Sequence, residues 1–135
     1  MIPEIYAEMS IVFENDLDVS VISKLLNISP HEFQSQSNDT KVSPITNKKL
    51  EGFWTIRSDI FHEFDLKVAT DNLIQKIDCK IQLIQQICKD NDGCVIFYIV
   101  AQFDKYNTPA IYFEKDFLDI VHELNATIQT DLYVE

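Results

Sequence analysis

A chain of 135 residues has the length of one ordinary domain, and 46% hydrophobic residues are enough to fill its core. It carries 22 Asp and Glu against 11 Lys and Arg, a net charge of −11, and Arg57 is the only arginine. That balance argues against binding nucleic acid or an anionic membrane surface, which both need cations, and for a basic protein partner drawn in by long-range attraction.

Taken in chain order, Ile5, Ala7, Met9, Ile11 and Phe13 alternate with Tyr6, Glu8, Ser10, Val12 and Glu14. Period two over that length predicts a strand with one buried face. Asp18 reads as a helix N-cap, with Leu17 stapled onto Ile22. Ile22, Leu25 and Leu26 form the apolar stripe of that helix, and Pro30 stops it. Residues 31–50 are polar and weakly patterned. They either hide a short irregular strand pair or form a functional excursion. A second strand follows at 53–57, with Trp54 and Arg57 on opposite faces. Trp54 reads as core, and Arg57 as the partner of a nearby carboxylate.

Asp65 then caps one long helix. Leu66, Ala69, Leu73, Ile77, Ile81, Ile84 and Cys88 recur at spacings of three and four along it, and Gly93 is its left-handed terminator. At 1.5 Å per residue such a helix is about 35 Å long. Residues 94–103 are β-branched and aromatic with little alternation, which predicts a central strand covered on both faces. Asn107-Thr108-Pro109 makes a turn and 110–113 return as a partner strand. Leu118, Val121 and Leu124 mark a last helix capped near Asp116, and 128–133 form a closing strand. The order β-α-β-α-β-β-α-β predicts a single α+β domain: a ferredoxin-like β-α-β-β-α-β core extended by an N-terminal strand and helix.

The search for chemistry finds no catalytic, cofactor or metal pattern. Gly52 and Gly93 are isolated and open no phosphate loop. His31, His62 and His122 lie at no ligand spacing from one another or from a cysteine. His62-Glu63 reads as the solvated start of a helix, where the dipole favours acids, rather than as a catalytic pair. Asp90-x-Asp92 resembles the start of a calcium loop, but the apolar run Cys94 to Phe97 supplies none of the oxygen ligands such a loop needs. Cys79, Cys88 and Cys94 form no C-x-x-C and read as small core residues in a reduced, cytoplasmic setting. No signal peptide opens the sequence, and its longest apolar stretch, 94–101, is too short to span a membrane.

Three segments carry a resemblance: the opening strand 6–13, Leu25-Leu26-Asn27-Ile28-Ser29-Pro30 closing the first helix, and 128–133 at the end, with Trp54 following a polar insert. In these the chain resembles a bacterial family labelled domain of unknown function 4279, over most of its length. Such proteins usually have a glycine in the insert, and here there is none between His31 and Leu50. The family has no established activity, so the resemblance brings no functional residues. By kind, the chain also resembles small acidic immunity proteins of contact-dependent inhibition systems, which cover the active site of a cognate toxin. The expectation is therefore a non-catalytic immunity protein that neutralises a toxin domain, a basic nuclease in the first instance, through Glu32, Asp39, Asp59, Glu63 and Asp65. Two rivals stay open: a small-ligand-binding or enzymatic α/β domain, and a homodimer formed through an exposed strand edge.

Overall fold

The alternating segment at the N-terminus becomes the middle strand of a five-stranded sheet. The computed structural model describes residues 1–14, 17–34 and 52–135. Within them lie β1 (Glu4–Phe13), β2 (Glu32–Gln34), β3 (Gly52–Arg57), β4 (Gly93–Phe103) and β5 (Thr127–Val134), in the spatial order β2-β3-β1-β4-β5. β1 is antiparallel to both β3 and β4, β2 is antiparallel to β3, and β5 is parallel to β4. The helices are α1 (Ser20–Leu26), α2 (Lys67–Ile77), α3 (Ile81–Asn91) and α4 (Lys115–Glu123). This is the expected α+β class, consistent with a ferredoxin-like type of fold.

One side of the sheet holds the core. Ala7, Met9, Ile11 and Phe13 of β1 meet Trp54 and Ile56 of β3 and Val95, Phe97 and Ile99 of β4, all buried. The same cluster takes in Val19, Ile22 and Leu26 around α1, Leu73 and Ile77 of α2, Ile84 of α3 and Phe117 of α4, so all four helices pack on this one face. β1 is therefore the centre of the sheet and not an extension at its edge. The crossover from β3 to β4 leaves a gap of one strand, and β1 fills it.

Five further expectations are corrected. Residues 110–113 form no strand; Ala110 makes only an isolated bridge to Asp65. The reason is topological: β1 and β5 already occupy both sides of β4, so a hairpin return has no ladder to join. The long helix is broken by a 3-10 turn at Asp78–Lys80, although its stripe of buried residues runs on from Ile77 to Ile81. A twisted sheet curves away beneath a straight rod, and the break lets both halves stay seated. At its far end Asp92, not Gly93, takes the left-handed conformation (φ 50°), and Gly93 begins β4. α4 begins one residue before Asp116, its N-cap Glu114 has no side-chain cap, and its buried stripe is Phe117 and Leu124 while Leu118 is exposed. Phe117 wins because its ring packs edge-on against Phe97, with centroids 5.1 Å apart. In α1 likewise Leu25 is exposed, and Ile22 and Leu26 alone face the core.

The N-caps of α1 and α2 are Val19 and Leu66, one residue after the expected Asp18 and Asp65. Asp18 and Asp65 each accept the N–H two residues on, from Ser20 (3.0 Å) and Lys67 (2.9 Å). The Asp18 carboxyl is held below the usual carboxylate range by its hydrogen bonds with Ser20. Asn27 ends α1 in the left-handed conformation, ahead of Pro30. β2 lies at the start of the polar excursion, whose residues 35–51, Asp39 among them, fall outside the described residues.

Candidate functional site

Among the described residues no helix packs on the second face of the sheet. The register shows what that face presents. Glu8 lies opposite Arg57 on one side and Tyr98 on the other, Ser10 lies between Thr55 and Ile96, and Val12 lies between Phe53 and Cys94. Glu32 of β2 extends the Thr55 row, and Asp131 of β5 extends the Tyr6–Val100 row. β4 was expected to be covered on both faces. It is apolar on both, but only Val95, Phe97, Ile99, Ala101 and Phe103 meet the helix layer or the small cluster beside it. Ile96 and Tyr98 face the open side.

The polar groups of this face are tightly organised. Arg57 Nε donates to Glu8 Oε1 (2.6 Å), and its guanidinium carbon sits 4.2 Å from the centre of the Tyr6 ring. This is the carboxylate partner expected for Arg57, and Trp54 is fully buried on the opposite face as expected. Burial pushes the Tyr6 hydroxyl above its ordinary value, against the pull of Arg57. Ser10 Oγ and Thr55 Oγ1 share a hydrogen bond of 2.6 Å. Beside them lies a recess of about 260 Å³, lined by Glu8, Ser10, Val12, Glu32, Phe53, Thr55 and Tyr98.

Charge separates the two faces. Acids occur on both, but every described lysine lies on a helix, the 3-10 turn or a loop: Lys24, Lys67, Lys76, Lys80, Lys89, Lys105 and Lys115. The described strands carry Glu4, Glu8, Glu32 and Asp131 and a single cation, Arg57, which is already bound to Glu8. The open face thus carries Glu4, Glu8, Glu32 and Asp131 around and between Val12, Phe53, Ile96 and Tyr98, with no free cation among its described strand residues.

The structure places the expected partner-binding residues in two groups. Glu32 is exposed on the open face and lines the recess. Asp59, Glu63 and Asp65 lie together on the connection from β3 to α2, away from the recess. Asp59 is engaged by Lys76 (3.3 Å) and Asn72 (3.3 Å), and Asp65 accepts from Tyr112 Oη (3.0 Å) as well as from Lys67. That last bond raises the Tyr112 hydroxyl. Glu63 is exposed. Sequence reasoning missed Glu4, Glu8, Asp131 and the apolar floor. The missed signal was β4 itself: a strand apolar on both sides has a second apolar face to account for.

Elsewhere, a recess of about 350 Å³ lies where α1 leads into β2. Its Lys76 ammonium already donates to the Arg57 carbonyl (3.0 Å) and to Asp59. Among the described residues no group of three His, Cys, Asp or Glu is placed to hold a metal ion, and no helix is long and apolar enough to cross a membrane. The cysteines are corrected in part. Cys79, in the 3-10 turn, and Cys94, on the open face, are exposed; only Cys88 packs against the core.

The family model described as a domain of unknown function, DUF4279, matches residues 3–135. No curated protein and no solved structure matches the chain.

Proposed function

The chain belongs to the DUF4279 family, and from that premise, which brings no activity with it, we propose that it is a non-catalytic binding protein that holds a basic protein partner on the open face of its sheet. The observation that supports this reading is the charge asymmetry of the sheet: Glu4, Glu8, Glu32 and Asp131 share its open face with an apolar floor, and among the described strand residues the one cation, Arg57, is bound to Glu8. A partner rich in Lys and Arg gains attraction from the carboxylates and apolar burial from the floor, the anatomy of a protein-binding patch. Nuclease toxin domains present such surfaces, because they must hold phosphate. The function we assign is that of an immunity protein working in the cytoplasm, which neutralises a toxin domain by covering it.

The test is titration of the purified chain with the toxin domain encoded by a neighbouring gene, followed by calorimetry at rising salt. Affinity should fall as salt rises, and Glu32→Lys and Glu4→Lys should each weaken it by about tenfold while leaving the melting temperature in place. No complex with any adjacent toxin domain, or a complex indifferent to both reversals, sinks the reading.

A further inference from the structure

At one end of the described sheet lies β2 (Glu32–Gln34). At the other end β5 runs for eight residues, Thr127–Val134, with no proline and no lysine. Glu135 N–H donates to the Phe103 carbonyl of β4 (2.9 Å), so the odd-numbered residues of β5 turn their backbone groups towards β4. By alternation, Ile128, Thr130, Leu132 and Val134 turn theirs outward, where no described strand meets them. Leu132, Tyr133 and Val134 are 49%, 58% and 60% exposed beside them.

We propose that this edge pairs with the β5 edge of a second copy of the chain, joining two sheets into one of ten strands. Charge selects the occupant. A second copy brings its own net charge of −11, so the chain can meet itself only where its surface is nearly uncharged. β5 is such a place, with Asp131 its one charged residue. A basic partner has no comparable reason to prefer this edge over the acidic open face.

Charge also selects the register. A two-fold axis normal to the sheet makes the strands antiparallel and keeps each face continuous. Centred on Asp131, the pairing sets two carboxylates directly opposite. Centred on Thr130, it sets Thr130 against Thr130, Asp131 against Gln129, Ile128 against Leu132 and Thr127 against Tyr133. In that register the outward-facing groups of Ile128, Thr130 and Leu132 exchange hydrogen bonds with the partner, and no like charges oppose.

Sedimentation equilibrium on the full chain tests this. The unaltered protein should show twice its monomer mass from low micromolar concentration upward, and the dimer should tighten as salt screens the repulsion. That is the reverse of the salt response expected of a complex with a basic partner. Thr130→Pro removes an outward N–H, a substitution an edge strand tolerates, and Leu132→Lys places a charge at the seam. Both should be monomers with unchanged circular dichroism. A wild-type chain that stays monomeric at high micromolar concentration, or a dimer that survives both variants, overturns the proposal.

Discussion

Arg57 and Glu8 lie directly opposite each other across the β3–β1 ladder, and the guanidinium bonds the carboxylate while resting on the ring of Tyr6. The two side chains are only 22% and 16% exposed, so this pair is screened less than a surface ion pair. Arg57→Ala removes the charge-assisted bond, the contact with the ring and the packing of the alkyl stem, and should cost about 1–2 kcal/mol in urea denaturation. Arg57→Lys keeps the charge but loses the planar fork and should recover only part of that loss. A double-mutant cycle with Glu8→Gln checks the coupling. Additive losses would show that the two residues do not act together.

The junction between α3 and β4 predicts an ordering of two substitutions. A Cβ on Gly93 would fall 2.7 Å from Phe13 Cε1 and 3.0 Å from Cδ1. Phe13 is fully buried in the core, so the ring has nowhere to retreat. Gly93→Ala should therefore cost about 1–3 kcal/mol, the usual toll of overpacking. Asp92, one residue earlier, holds a positive φ that glycine adopts freely. Asp92→Gly should cost less than Gly93→Ala in paired thermal melts, and adding Phe13→Leu should restore part of the Gly93→Ala loss. Equal costs would place the strain elsewhere.

That junction also shows what could be read in the sequence and what could not. An Asp-Gly pair after a helix signals a left-handed residue, and local chemistry favours glycine for it. What decided the matter was Phe13, eighty positions away in sequence, which needs the glycine for closeness and leaves the left-handed position to Asp92. Period-two alternation in β1 was legible because each residue reports its own face. The return strand at 110–113 was misread because its composition is that of a strand, while the vacancy it needed is a property of sheet order. The candidate site was half legible for the same reason. The excess of carboxylates is in the composition, but the separation of lysines onto helices and loops emerges only when the register brings Glu4, Glu8, Glu32 and Asp131 to one face.

Cys88 gives a pH dependence with a definite sign. Burial, with a smaller contribution from neighbouring Cys94, pushes its thiol up to about 11. In the unfolded chain the thiol ionises near its ordinary value. Between that value and about pH 11 the unfolded state therefore binds fewer protons than the folded one, and stability falls as pH rises. Below that window both states keep the proton and the group has no effect. Tyr6 and Tyr112, also raised, act in the same direction at higher pH, so the comparison is made against Cys88→Ala, which should lose the part of the alkaline decline due to the thiol. In the native chain a thiol reagent should modify exposed Cys79 and Cys94 first, with Cys88 reacting at least about tenfold more slowly. Identical alkaline profiles for the two proteins would remove Cys88 from the account.

Trp54, the only tryptophan, ties the sheet to α1. Its ring is fully buried, and its indole N–H donates to Ser23 Oγ (3.0 Å). Ser23→Ala deletes the acceptor and leaves the donor in an apolar place, which should cost about 1–3 kcal/mol. Trp54→Phe deletes the donor and part of the ring, a loss dominated by the cavity it leaves. Once the indole is gone Ser23 has lost that partner, so adding Ser23→Ala to Trp54→Phe should cost less than Ser23→Ala alone. Thermal melts followed by circular dichroism measure all three variants without relying on indole fluorescence. If Ser23→Ala costs the same in both backgrounds, the hydrogen bond contributes nothing and α1 is held by the packing of Ile22 and Leu26 alone.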